Sequence, residues 1–126
     1  MSGLTYDAGA LLAAEGNDRR MWAIHRRAVE RSHIPTVPAG VLAQAWRGGP
    51  QPLLSALLSM CAIERLEESD ARLAGALLAR AKTADVIDAT VVGGALRRTD
   101  AIVTSDQSDI ETLARAAGRR INIIAI

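Results

Sequence analysis

Residues 85–109 run Asp85-Val-Ile-Asp88-Ala-Thr-Val-Val-Gly-Gly-Ala-Leu-Arg-Arg-Thr-Asp-Ala-Ile-Val-Thr-Ser-Asp106-Gln-Ser-Asp109. The stretch predicts a helix from Asp85 to about Arg98, a turn, and a buried strand over Ala101–Thr104. A D-x-x-D motif stands at each end, and residues three apart are neighbours on a helix surface. A further acid, Asp7, follows the apolar opening Leu4-Thr-Tyr6. Asp7, Asp85, Asp88, Asp106 and Asp109, if brought together, repel one another unless a hard cation lies between them. That pattern points to Mg2+ or Mn2+ and to phosphate chemistry.

Outward from this stretch, short strands alternate with helices along the whole chain. Leu4–Tyr6 reads as a first strand, followed by a helix over Ala8–Glu15. Gly16-Asn-Asp18 breaks and caps the chain ahead of a helix from Arg19 to Arg31. Its apolar face is Met21, Trp22, Ile24, Ala28 and Val29. Ile34–Val37 reads as a strand, and Pro38 suits the first turn of a helix running through Gln44 to Gly48. Leu53–Met60 reads as a helix, Cys61–Ile63 as a strand, and Ser69 as the cap of a helix ending at Lys82. Thr83 or Asp85 caps the next helix. Ser108-Asp-Ile-Glu111 has the capping-box pattern for the last one, which Gly118 ends, and Ile121–Ile124 closes the chain as a strand.

Alternation of this kind predicts an α/β fold: a central parallel sheet of four to five short strands, flanked by helices on both faces. Such sheets bind ligands outside the carboxyl ends of their strands. Asp7 and Asp106 both stand at such ends. The 126 residues suit one domain, 1–126, with one core.

Composition narrows the function. Apolar residues make up 49% of the chain, yet no run approaches the roughly 20 residues of a membrane span. Met1-Ser-Gly-Leu-Thr-Tyr-Asp7 has neither a basic segment nor an apolar stretch of signal-peptide type. The single cysteine, Cys61, allows no internal disulfide or cysteine-based zinc site; it reads as a small buried residue, and a reducing cytoplasm is the expected location. Three aromatic residues, Tyr6, Trp22 and Trp46, are too few for a sheet that stacks bases. The net charge is +1. Setting the five acids aside leaves nine against fifteen bases, so the remaining surface carries about +6. Fourteen of the bases are Arg and one is Lys82. Arginine forks bind phosphate bidentately, although GC-rich coding also enriches arginine. His25 and His33 read as solvated or core-edge residues.

Each acid also has a structural reading. Asp is a favoured helix N-cap and complements the helix dipole, and Asp7, Asp85, Asp106 and Asp109 all lie near expected helix starts. Asp88 stands inside an apolar segment, where an unpaired carboxylate is costly. The set as a whole, on one sheet rim, favours a site.

The chain resembles PIN-domain proteins, and among them the VapC-type toxins of bacterial type II toxin–antitoxin pairs. The residues that carry the resemblance are Leu4-Thr-Tyr-Asp7-Ala-Gly-Ala-Leu, Val37-Pro-Ala-Gly-Val-Leu-Ala-Gln-Ala-Trp-Arg-Gly48, Asp85-Val-Ile-Asp88-Ala and Ile102-Val-Thr-Ser-Asp106-Gln-Ser-Asp109. Each motif is weak alone; their order and spacing span nearly the whole chain. The resemblance implies a PIN-like fold and a Mg2+- or Mn2+-dependent endoribonuclease acting on tRNA or rRNA. By position it implies Asp7, Asp88 and Asp106 as catalytic metal ligands, with Asp109 an auxiliary acid. Thr104 and Ser105 are neighbouring hydroxyls that position a phosphate or a metal-bound water. Asp85 is either an acid behind the metal ligands or a helix cap. The implied partners are RNA, a VapB-type antitoxin and a second copy in a homodimer, with no membrane.

One position departs from the family pattern. Gln44 stands where glutamate is usual. It keeps the shape and a carbonyl oxygen but lacks the charge, which weakens Mg2+ binding and removes a candidate base. A natural variant of low activity, a deliberately disarmed protein, and an active one whose other acids suffice all fit Gln44. So does a catalytically silent PIN domain that binds RNA or protein. A receiver domain is disfavoured because Asp7 stands alone at the first strand. A haloacid-dehalogenase phosphatase is disfavoured because Asp7-Ala-Gly9 is not Asp-x-Asp.

Overall fold

The computed structural model describes residues 3–126. Met1 and Ser2, which open the segment read above as lacking signal-peptide features, lie outside the described residues. Five strands and seven helices alternate: β1 Leu4–Tyr6, α1 Ala8–Glu15, α2 Arg19–Glu30, β2 Thr36–Pro38, α3 Ala39–Ala45, α4 Pro52–Leu58, β3 Ala62–Glu64, α5 Glu68–Ala81, α6 Val86–Arg98, β4 Ala101–Thr104, α7 Gln107–Ala116 and β5 Ile123–Ala125. All strands are parallel, in the order β3-β2-β1-β4-β5. The chain therefore builds outward from β1 in one direction, then crosses back to add β4 and β5 on its other side. The crevice between β1 and β4 is the point where the order reverses, and ligands favour that place in open parallel sheets. The register Tyr6 to Val103 sets Asp7 beside Thr104 at this crevice.

Both sheet faces are covered, as the pattern of short apolar strands implies. Successive strand side chains point to opposite faces. Tyr6 reaches α2, where its hydroxyl lies 2.9 Å from Nδ1 of His25. Thr5, pointing the other way, meets Arg98 of α6 at 2.9 Å and Asp100 at 2.8 Å. The core includes Leu11, Met21, Leu54, Leu57, Leu77, Ile102, Ile110 and Leu113, all at most 1% exposed. α6 runs through its middle, with residues 91–96 all buried. No helix among the described residues is long and apolar enough to cross a membrane.

Several boundaries differ from the sequence reading. Pro38 ends β2 and precedes α3 instead of opening it. As a residue without a backbone N–H, it is tolerated at the end of a short strand. Glu67, not Ser69, stands before α5; its N–H bonds Asp70 Oδ2 at 3.2 Å. α7 starts one residue before Ser108, with Asp106 as its N-cap, so the expected Ser108–Glu111 capping box does not form. β3 and β5 lie one and two residues later than expected, at Ala62–Glu64 and Ile123–Ala125.

His25 is neither solvated nor at the core edge: it is 4% exposed, with Trp22 edge-on to its ring. The Tyr6 hydroxyl supplies the polar partner that burial demands. His33 is half-buried. Cys61 is half-buried instead of buried, its Sγ 3.3 Å from the Leu57 carbonyl, and burial pushes its thiol up to about 12.

Candidate metal centre

Two strand-to-helix junctions, β1–α1 and β4–α7, and the turn between α5 and α6 build one acidic rim. Asp7 ends β1 and caps α1: Ala10 N–H donates to its Oδ1 at 2.9 Å. Its other oxygen accepts from the Thr104 hydroxyl of β4. The carboxylate is 4% exposed and fixed on both sides. Thr104, fully buried, also accepts from the Asp106 N–H at 2.8 Å. One hydroxyl thus ties the end of β1 to the start of α7. With its hydrogen given to Asp7, Thr104 acts as a positioning group for two acids; it is buried away from any cleft water.

Asp85 resolves as a helix cap, accepting from Asp88 N–H at 2.9 Å. Its bond holds the first turn of α6, and so places the Asp88 side chain over the rim. Asp106 occupies the N-cap position of α7 but spends no side-chain oxygen on capping. Each of Asp88, Asp106 and Asp109 presents a carboxylate oxygen within 4.8 Å of the other two. Asp7, Asp85, Asp88 and Asp106 line a cleft of about 470 Å3, together with Gln44, Ser105 and Arg47. Of the residues expected from sequence, Asp109 lies in the three-acid group at the cleft's edge, and Thr104 lies buried behind it. Asp7 is in the cleft but outside the three-acid group.

Electrostatics mark the rim as unneutralised. None of the five acids forms an ion pair with a basic side chain among the described residues. Arg47 reaches the cleft, but its guanidinium donates to the Ala43 and Trp46 carbonyls at 3.3 and 2.8 Å. Asp88 is raised to about 7, first by burial and then by the charges of Asp85, Asp7, Asp106 and Asp109. Burial also raises Asp7, against the lowering effect of the Thr104 hydrogen bond. Asp109 is raised by its hydrogen-bonded contact with Asp106.

The donor set fits a hard divalent cation. It is all carboxylate oxygen, without sulfur or imidazole. Octahedral Mg2+ at 2.0–2.1 Å from its ligands spans about 2.9 to 4.2 Å between oxygens. Oxygens of Asp88, Asp106 and Asp109 that all lie within 4.8 Å of one another are close to that span, and Asp106 and Asp109 are exposed.

Gly9 and Arg47 also stand at this site, outside the candidate residues expected from sequence. A Cβ on Gly9 would stand 1.8 Å from Ser105 Oγ. A side chain there would push the β4–α7 junction away from α1, so glycine lets the two acidic segments meet. The only sequence signal was a glycine in the first turn of a helix, where it weakens the helix unless space requires it. Gln44, exposed on α3, faces the same cleft.

No protein-family model matches the sequence, and no curated protein matches it. Solved structures do match in shape. A chain from the structure of FitAB bound to an IR36 DNA fragment aligns with a TM-score of 0.64, over 97% of this chain and 94% of that one, at 13% identity. At that identity the likeness is one of fold. The architecture is thus PIN-like α/β, a five-stranded parallel sheet flanked by helices, with its acidic residues at the strand-order reversal.

Proposed function

We propose that the chain is a metal-dependent endoribonuclease of PIN type, the VapC-like toxin of a type II toxin–antitoxin pair, cleaving tRNA or rRNA in the cytoplasm. The observation that carries this reading is the unneutralised acidic rim at the β1/β4 crevice, in a fold shared with a chain of FitAB. The partners in this reading are RNA, a VapB-type antitoxin and a second copy of the chain.

In this reading Asp7, Asp88, Asp106 and Asp109 hold Mg2+ or Mn2+. When bound, the cation lowers the pKa of a bound water and offsets charge on the phosphate. Thr104 and the Ala10 N–H keep Asp7 in one orientation. Asp85 fixes the turn that carries Asp88. Burial and the neighbouring acids raise Asp88 to about 7 in the metal-free state, and a bound cation favours its charged form. Gln44 presents an amide to the cleft in place of a carboxylate, so it orients a water without taking its proton.

Gln44 also favours a second reading, a catalytically silent domain that binds RNA or protein. One experiment separates the two. Pooled tRNA and rRNA are incubated with Mg2+ or Mn2+ and the purified chain, Gln44→Glu or Asp7→Ala. The nuclease reading expects cleavage by the chain or by Gln44→Glu, with at least a ~100-fold loss in Asp7→Ala. A gain confined to Gln44→Glu identifies an attenuated site. If neither cuts while RNA or a partner still binds, the silent reading stands.

A further inference from the structure

Arg97 and Arg98 pair with Glu64, Asp70 and Asp100, and Arg47 bonds backbone carbonyls. Arg119 and Arg120 are both exposed, and, like Arg20, Arg27 and Arg31 of α2, neither forms an ion pair or side-chain hydrogen bond among the described residues. They sit where Gly118, at φ +67°, turns the chain back beside α7.

There they close one end of a shallow hollow of about 380 Å3. Its side is a single face of α7, formed by Gln107, Glu111 and Arg115 at four-residue steps. Ile121 and Ile123 form its floor. Gln107 directly follows Asp106, the N-cap of α7, so this face of the helix starts one residue after a rim acid and runs away from it. From Gln107 to Arg115 the helix rises ~12 Å, the length of three to four stacked nucleotides at ~3.4 Å each. The same two arginines border a second hollow of about 280 Å3, beside Thr99 and Asn122.

Glu111 is the one acid in this hollow. Gln107 Nε2 donates to it at 2.8 Å, and Arg115 lies 3.8 Å away. That pairing leaves the charges of Arg119 and Arg120 over. A polyanion entering the cleft is repelled by the rim acids unless a cation and nearby bases offset them. The free pair at the far end of the α7 face supplies such a base.

We propose that the α7 face from Gln107 to Arg115, ending at Arg119 and Arg120, binds the phosphate backbone of the RNA strand leaving the acidic rim. This rests on the nuclease reading for its substrate. The face has no aromatic side chain for stacking, so it holds the strand through phosphates and reads little sequence.

The test uses a fluorescein-labelled 12-nucleotide single-stranded RNA and the intact chain in EDTA, with anisotropy measured from 50 to 200 mM salt. Arg119→Ala/Arg120→Ala is expected to bind about 10-fold more weakly, with the salt slope reduced by about 1.4, or 0.7 per lost contact. Arg119→Lys/Arg120→Lys is expected to keep the slope. Both positions are exposed, and unchanged thermal unfolding confirms the fold. Hydrolysis of bis(p-nitrophenyl) phosphate, which is too small to reach α7, is expected to be equal in chain and variant. An unchanged affinity and slope in the alanine variant overturns the proposal, as does no RNA binding by the unaltered chain. Tighter binding of a poly-glutamate peptide, lost in the same variant, overturns it in favour of an acidic protein partner. If the small diester is never cut while the RNA slope still falls, the nuclease reading fails and the phosphate track stands.

Discussion

Two groups of charged residues flank the same sheet and are treated in opposite ways. Around Thr5, the acids Glu64, Asp70 and Asp100 are matched by Arg97 and Arg98, with Arg98 in contact with Glu64, Asp100 and the Thr5 hydroxyl at 2.6–2.9 Å. At the carboxyl ends of β1 and β4, five acids gather with no basic partner. In the first group three acids share two arginines and every acid has a basic partner; the second stores repulsion. Evenly spread charge neutralisation serves stability, and a concentrated failure of it marks a place kept for a ligand. The contrast also sorts the acids themselves, because proximity to the sheet alone does not distinguish Asp100 from Asp88.

The largest effect should come from breaking the paired group. Arg98→Met leaves Asp100 and Glu64, whose side chains are 7% and 28% exposed, without their main partner. We expect a loss of about 2–3 kcal/mol in urea unfolding, toward the low end for a broken buried pair because Arg98 retains 18% exposure. A loss below 0.5 kcal/mol would make this group no more than surface pairing.

The reverse substitution should act with the opposite sign at the rim. Asp88→Asn removes a charge that its neighbours oppose, so the metal-free protein should gain about 1–2 kcal/mol at pH 8. With Asp88 raised to about 7 in the folded state and about 3.9 unfolded, the folded protein binds the extra proton. Its contribution is fully present below pH 4 and is lost as pH rises through 7. His25 slopes the other way: burial lowers its pKa, so its contribution is present above about 6.5 and is lost as pH falls through its folded value. Subtracting the unfolding free energy of the chain from that of Asp88→Asn cancels the histidine. The difference should grow from pH 4 to pH 7, and saturating Mn2+ should reverse its sign. A flat difference would show that the rim is not strained.

The smallest effect concerns geometry. Gly9→Ala should cost about 10-fold in metal-dependent activity by spreading α1 from the β4–α7 junction. Adding Ser105→Gly, which removes the atoms at 1.8 and 2.9 Å, should recover most of it. A double variant no better than Gly9→Ala would place the effect in helix propensity.

Much of this arrangement was legible in the sequence where a residue's chemistry and its local pattern agree. Leu4–Tyr6 and Ala101–Thr104 are short apolar runs closed by polar residues, and both are strands. Asp7 and Asp85 read as caps and are caps. Ser108 misled because its capping-box partner Glu111 is in place, yet the junction is fixed one turn earlier by Thr104 bonding the Asp106 N–H. That bond depends on β1 lying beside β4, and strand order is invisible to local pattern. His25 misled for the same reason: it is a polar residue accommodated by Tyr6, on a strand distant in sequence. Gly9 was unreadable because its purpose is the space occupied by Ser105, 96 positions on.

The pairing of β1 with β4 joins Thr5 to Ile102, whereas β1 and β2 join Thr5 to Thr36. Closing the longer loop costs about 1 kcal/mol more in chain entropy, and it needs β4, which is synthesised after α6. A growing chain that ends before Ala101 has Asp7, Gln44, Asp85 and Asp88 but neither Thr104 nor Asp106. Its acids have no frame in which to converge. The order of synthesis therefore withholds the acidic centre until β4 and the start of α7 have been made.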